Sequence, residues 1–290
     1  MSEYKYSFDD YQPFDMEKRV ETASVAKAEL SFLSLFMLAV LAGSFIALGA
    51  EFYTLVTFDS QLSYGLTKLI GGLAFSLGLI LVIVAGAELF TGNNLLMMGL
   101  ASRVVTYKQV LKNWVVSYVG NFIGSISLVF LMYFTDLWTV KDYQFGASAV
   151  ITAVGKIELT FVEAFFRGIL CNALVCLAVW LCFSARTVIS KISAIIFPIT
   201  AFVASGFEHS IANMYFIPFG ILLGRNPEVV RKVLEMKPEI NLERLNIIGF
   251  LGNLLPVTLG NIVGGAIMVA VVYWLIIVLP QKIRKNRIRK

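Results

Sequence analysis

The chain has 290 residues, of which 58% are hydrophobic and 15% charged, with a formal net charge of +5 and a mean hydropathy of +0.79. A soluble domain of this size carries about 45–50% apolar and about 25% charged residues; here the charges are gathered into a few segments, so a water-soluble globule is excluded and lipid is the expected solvent. Much of the positive charge sits in the terminal run QKIRKNRIRK, which suits an anionic membrane surface better than it suits nucleic acid.

Residues 1–28 are polar and mixed in charge, with no apolar core and no small-residue cleavage site, and read as a cytoplasmic amphipathic segment, not a signal peptide. A bilayer core of about 30 Å needs roughly 20 apolar residues per helical span. Candidate spans follow at 30–53, 66–90, 113–134, 159–183, 192–222 and 247–279. They form one channel domain over 29–280, followed by a basic cytoplasmic tail at 281–290. The second span runs on toward residue 100 but is broken near Gly86–Asn94, and the fifth is interrupted at SGFEHS. Polar clusters inside apolar runs predict helices broken at mid-membrane, where bare backbone lines a cavity. Cys171, Cys176 and Cys182 all fall in the fourth span. An odd number of thiols in one helix offers no disulfide framework and no metal spacing, so they read as small buried packing residues. No cofactor is expected.

Loop charge predicts the orientation. With both termini inside, the inner segments carry Lys5, Lys18, Arg19, Lys27, Arg103, Lys108, Lys112, Arg186, Lys191 and the tail, whereas the basic residues of 224–246 are balanced by Glu228, Glu235, Glu239 and Glu243. Excess Lys and Arg favours the cytoplasmic side.

An internal repeat is the strongest architectural signal. Gly86-Ala87-Glu88, with Asn93 after it, has a counterpart in Gly206-Phe207-Glu208 with Asn213 at the same spacing. Asn113…Gly120-Asn121…Gly124 matches Asn253…Gly260-Asn261…Gly264. The first pair is offset by 120 residues and the second by 140, which fits a longer loop at 224–246 than at 101–112. Repeats over about 29–134 and 159–279 then hold three spans each, and an odd number places the copies in opposite orientations. Inverted repeats with equivalent broken helices put a site near the midplane. Gly120, Gly124, Gly260 and Gly264 read as small-xxx-small pairs that let helices approach closely.

His209 is the only histidine and sits beside Glu208 within the interrupted fifth span. An ionisable group at that depth costs about 2.5–3.5 kcal/mol on insertion scales and is a functional candidate by default. The facing break, AELFTGNN, offers the hydroxyl of Thr91 and the amides of Asn93 and Asn94. Helix N-termini at such breaks attract anions. Glu88 and Glu208 are expected to point away and tie down broken backbone. Glu163 and Arg167, spaced i, i+4, are expected to pair as a structural or interprotomer bridge.

The stretches GGLAFSLGLILVIVAGAELFT, KNWVVSYVGN, GILCNALVCLAVW, FVASGFEHSIANM and NLLPVTLGNIVGG resemble the formate/nitrite transporter family, most closely its formate channels. The tails and the 224–246 loop match poorly. The resemblance implies an aquaporin-like, all-α membrane fold of six helices, assembled as a homopentamer in a bacterial inner membrane, with one pore per protomer. It also implies that Phe75, Leu79, Leu89, Phe90 and Phe202 form apolar constrictions on either side of His209, that Thr91 approaches His209, that Lys156 draws anions from an outer loop, and that Asn172 and Asn213 line the path. There are departures: the ELFTGN stretch resembles nitrite and hydrosulfide relatives as much as formate channels, and GILCN is shared with nitrite-type sequences.

A bare carboxylate loses water in an apolar slit at a cost of tens of kcal/mol in the Born limit, whereas an unperturbed imidazole with a pKa of about 6.5 can supply a proton near neutral pH. The expected function is therefore pH-dependent passage of a small monovalent anion, formate favoured, in which His209, positioned by Thr91 and biased by Glu208, exchanges the proton. Low external pH would then favour import. A second reading keeps His209 as a permanent anion filter. Nitrite, hydrosulfide and short acids such as acetate or lactate remain alternatives, as does coupled proton symport. A neutral-solute aquaporin-type channel lacks support because no paired Asn-Pro-Ala signature is present. An intramembrane enzyme is disfavoured because no partnered nucleophile, metal triad or nucleotide loop accompanies Glu208 and His209.

Overall fold

The computed structural model describes residues 11–281 and 283, and these form helices joined by turns, with no strand among them. Lys5 and the basic residues at 282 and 284–290 lie outside the described residues. Helix α1 (Pro13–Glu29) begins with a proline in its first turn, where the missing N–H has no helical partner to lose. Helices α2 (Phe32–Thr57) and α3 (Tyr64–Ala85) lead to the first break, after which a tight turn at Gly92–Leu95 starts the short α4 (Leu96–Ala101). Helix α5 (Tyr107–Phe134) completes the first half.

The second half repeats this order. Helix α7 (Phe161–Ser184) follows α6 (Gln144–Ile157); α8 (Val188–Ala204) and α9 (Ser210–Leu223) flank the second break; α10 (Pro227–Met236) precedes α11 (Ile247–Ile262). The last helix continues to Gln281, with wider π-type turns over Val263–Val271 and Trp274–Val278. Both α5 and α7 start with reciprocal capping boxes, Thr106 with Gln109 and Thr160 with Glu163, which satisfy the orphan first-turn donors.

Among the described residues, five helices are long and apolar enough to cross a membrane: α2, α3, α5, α7 and α11 with its continuation. The broken pair α8 and α9 supplies two shorter apolar helices. Polarity is arranged inside out. Phe134 and Phe197 are each 78% exposed and Ile248 82%, while Asn121, Asn172, Asn213 and Asn261 are fully buried. An apolar perimeter around a polar centre is the arrangement expected where hydrocarbon surrounds the protein.

The four glycines of the repeat act by contact. A Cβ added at Gly124 would strike the Val40 carbonyl of α2, and one at Gly264 the Ile169 carbonyl of α7. Gly120 and Gly260 meet the same two helices, so α5 lies on α2 as α11 lies on α7.

Two helices escaped the sequence reading. The stretch before the fourth span contains α6, whose Phe145, Val150, Val154 and Ile157 are buried against α9 and α10. Lys156 therefore stands in the last turn of a buried helix, not in a free loop. Fourteen residues are too few for a span, which is why hydropathy counted α6 as connection. Likewise the 224–246 connection contains α10, docked by Arg231 and Lys232 onto Asp142 at 3.1 and 3.0 Å.

Candidate pore around His209

Both breaks are built by the same chemistry. Gly86 (φ +82°) and Gly206 (φ +70°) end α3 and the α8 segment in the left-handed region that glycine adopts without penalty. Two residues on, the Glu88 N–H reaches the Leu38 carbonyl at 3.2 Å and the Glu208 N–H reaches that of Arg167 at 3.3 Å. An asparagine then clamps each loop. Asn121 donates to the carbonyls of Ala39 (2.7 Å) and Glu88 (3.0 Å) and accepts from the Phe90 N–H (2.9 Å). Asn261 donates to Gly168 (2.8 Å) and Glu208 (3.0 Å) and accepts from the Ser210 N–H (2.9 Å). Unsatisfied backbone at this depth would cost several kcal/mol per group, so these two amides hold the breaks open.

The carboxylates are paired in matching fashion. Lys27 on α1 donates to Glu88 at 2.6 Å, and Asn93 donates to the other Glu88 oxygen at 2.8 Å and to Asn113 at 2.8 Å. Lys156 donates to Glu208 at 3.0 Å, and Asn213 donates to the second oxygen at 2.6 Å and to Asn253 at 2.7 Å. The repeat read from the sequence thus reappears as matching Lys–Glu–Asn–Asn chains, with each lysine supplied from outside its repeat.

Symmetry fails at the imidazole. Leu89 in the first break corresponds to His209 in the second, three residues after each glycine. The His209 ring caps α9: Nδ1 accepts the Ala212 N–H at 3.1 Å, and Nε2 lies 2.9 Å from the Thr91 hydroxyl. Because a backbone N–H points at Nδ1, that nitrogen presents its lone pair, and neutral imidazole then carries its proton on Nε2, aimed at Thr91.

Each break lines a cavity. One, of about 260 Å³, is lined by Leu79, Leu89, Glu88 and the bases Arg19, Lys27 and Lys191. The other, of about 230 Å³, is lined by Phe75, Phe202, His209, Glu208 and the bases Lys68, Lys156 and Arg167. Phe75 meets Phe202 edge to face at 5.6 Å, and Phe202 lies 6.0 Å from the His209 ring. Each cavity therefore sets three bases against one acid above an apolar floor.

The sequence of residues 15–275 matches the family model for formate/nitrite transporters. The chain belongs to the formate/nitrite transporter family. It is 43% identical over 273 residues to the formate channel FocA of Escherichia coli K12, covering 93% of this chain and 95% of that one. Its fold is similar to a solved structure titled "Pentameric formate channel with formate bound", with a TM-score of 0.75, 42% identity, and coverage of 84% of this chain and 97% of that one. A solved "FNT family ion channel" gives a TM-score of 0.76 at 28% identity, covering 90% and 98%. The chain is thus a multi-pass membrane protein of a transporter family.

Of the residues singled out in the sequence, His209 and Thr91 are brought into contact, and Phe75, Phe202, Leu79 and Leu89 reach the cavities. Thr91, Phe90, Asn172 and Asn213 line neither cavity. The Phe90 ring packs on Trp114 (6.1 Å) and Tyr118 (4.9 Å), because its N–H turns to Asn121 and its side chain takes the opposite side of the loop from Leu89. Asn172 lies behind the wall, donating to the carbonyls of Thr91 (3.3 Å) and Asn261 (2.7 Å). The Asn213 amide nitrogen is spent on Glu208 and Asn253. Glu208 itself faces Lys156 and Asn213, so its carboxylate serves the loop and not the imidazole.

The expected Glu163–Arg167 pair survives only as an interaction of charges, with no close ion pair between them among the described residues. Glu163 closes the capping box, accepting from the Thr160 N–H at 2.9 Å and hydroxyl at 2.7 Å, while Arg167 lines the His209 cavity. Sequence reading also passed over Lys27, Asn121 and Asn261 as working parts. The signal was present: each asparagine sits at the same register of a repeat, inside an apolar span where a polar group must be satisfied.

Proposed function

We propose that the chain is a channel for small monovalent anions with formate as its substrate. It works as a homopentamer in a bacterial cytoplasmic membrane, as one domain over 29–280 with both termini cytoplasmic. The anion moves between the two cavities of each protomer, past Leu79, Leu89, Phe75 and Phe202. The observation that carries this reading is the His209 imidazole, lining one base-lined cavity and hydrogen-bonded at 2.9 Å to Thr91 of the opposite break, whose Leu89 lines a second. Relatives that share the fold and over 40% of the sequence are formate channels by name, one of them pentameric with formate bound.

Lysine and arginine at the rims raise the local anion concentration. At the centre a bare carboxylate would shed its water onto an apolar surface, and taking a proton removes most of that cost. The proton passes from Nε2 of a protonated His209 to a carboxylate oxygen. The neutral acid crosses the slit and is deprotonated in the far cavity, and His209 recovers a proton from the water on its own side. For His209 to hold two protons, Nδ1 must release the Ala212 N–H.

That capping bond favours a second reading, in which His209 stays neutral and filters anions through a fixed Nε2–H donor. Uptake of formate, nitrite, hydrosulfide and acetate into proteoliposomes across pH, with wild type and His209→Asn, separates the two. Proton exchange requires that the variant lose the pH dependence of flux; a filter keeps it and changes only the anion order. A wild type that excludes formate refutes the substrate.

A further inference from the structure

Arg167 lies in the second turn of α7, inside a membrane-spanning segment, where a cation is costly and marks function by default. Glu163, one turn earlier, is near enough to feel its charge, but the neighbouring carboxylates make their hydrogen bonds to other groups. Glu163 accepts both donors of Thr160. Glu208 is held by Lys156 and by Asn213. Among the described residues no ion pair includes Arg167. Its place is nonetheless fixed, because its carbonyl accepts the Glu208 N–H at 3.3 Å, one residue from His209. Helical side chains lean toward their own N-terminus, so the guanidinium rises from this anchor toward the Phe161 end of α7, along the wall of the His209 cavity. The other bases there are less suited to a planar anion. Lys156 is neutralised by Glu208, and Lys68 sits 5.6 Å over the Tyr64 ring at the rim.

A guanidinium held in no close ion pair, in a partly desolvated cavity, has a fork of donors that matches two oxygens of one planar anion. We infer that Arg167 captures the anion in the His209 cavity by bidentate hydrogen bonds, before it reaches the imidazole, and so favours two-oxygen anions such as formate and nitrite over the single-centre hydrosulfide. This rests on the channel reading above and adds a specificity element to it.

The test compares Arg167→Gln and Arg167→Lys with wild type in right-side-out and inverted membrane vesicles, measuring half-saturation for formate, nitrite and hydrosulfide at each face. Arg167→Gln is expected to raise half-saturation for formate and nitrite about tenfold at the His209-cavity face, the loss of roughly one charge-assisted hydrogen bond. Half-saturation at the opposite face stays at the wild-type value, which also shows that the variant is folded. Arg167→Lys, a charge without a fork, leaves hydrosulfide at the wild-type value and formate weak. Unchanged formate half-saturation, equal shifts at both faces, or equal shifts for formate and hydrosulfide would each overturn the inference. A wild type that carries hydrosulfide and not formate sinks the channel reading and this inference together, whereas normal formate flux with an indifferent Arg167→Gln sinks the inference alone.

Discussion

Replacing Asn261 by leucine, nearly the same volume, removes one side chain that makes three hydrogen bonds of 2.8, 3.0 and 2.9 Å in a fully buried site. The Gly168 carbonyl, inside α7, keeps its helical partner. The Glu208 carbonyl and the Ser210 N–H have no such reserve, and each orphaned buried group costs about 1–3 kcal/mol. The total is about 2–6 kcal/mol, or a fall in unfolding temperature of roughly 5–20 °C at about 2–4 °C per kcal/mol for a large domain. Ser210 opens α9, so its release also loosens the Ala212-to-His209 cap and the 2.9 Å contact with Thr91. Thermal unfolding of the purified protein in detergent, paired with proteoliposome flux, reads both effects. Asn121→Leu is the internal control: it strips an equivalent set of bonds from the other break and should lower stability by a similar amount, without touching the His209 cap. An Asn261→Leu protein that unfolds at the wild-type temperature would refute the argument that these amides hold the breaks.

Lys156→Met should destabilise more than Lys27→Met, because Lys156 is 15% exposed against 31% for Lys27, and stripping one partner from a buried pair costs about 3–5 kcal/mol; equal unfolding temperatures would contradict this. Gly264→Val should force α11 off α7 at the Ile169 carbonyl and abolish folded yield in size-exclusion chromatography, whereas Gly252→Ala, with open space around it, should be silent. On the exposed surface, hydrogen bonding to Lys232 and then the nearby Arg231 hold the Asp142 carboxyl below its ordinary 3.8, and Arg231 and then Lys232 hold Glu235 below 4.5. A depressed carboxylate stabilises above its ordinary value and loses that effect as pH falls through the depressed one, so amides of α10 should exchange faster as pH drops from neutral to about 3, with salt weakening the difference. Exchange rates for α10 that track the rest of the protein would argue against the docking.

How much of the site was legible follows from what polarity alone reveals. The breaks at Gly86 and Gly206, the lone imidazole and its approach to Thr91 could be read from polar residues stranded in apolar spans. Phe90, Asn172 and Asn213, put on the path by the resemblance, spend their contacts elsewhere here, because a shared motif does not say which side of a loop a side chain faces. Lys27 and Lys156 went unrecognised as matching clamps because each comes from a helix outside the repeat that it serves. Arg167 was assigned to its sequence neighbour Glu163, a pairing that helical spacing favours and that the capping box at Thr160 pre-empts.

Composition, span length and the offset repeat by themselves determined a multi-helix membrane protein with two equivalent breaks, because lipid leaves the backbone few solutions and a repeat is visible wherever its polar residues recur. Tertiary structure alone decided which groups face the cavities, which carboxylates are already neutralised and which nitrogen of His209 carries the proton. Those depend on hydrogen bonds between segments dozens of residues apart, such as Asn261 to Gly168 and Thr91 to His209, and no local spacing encodes them.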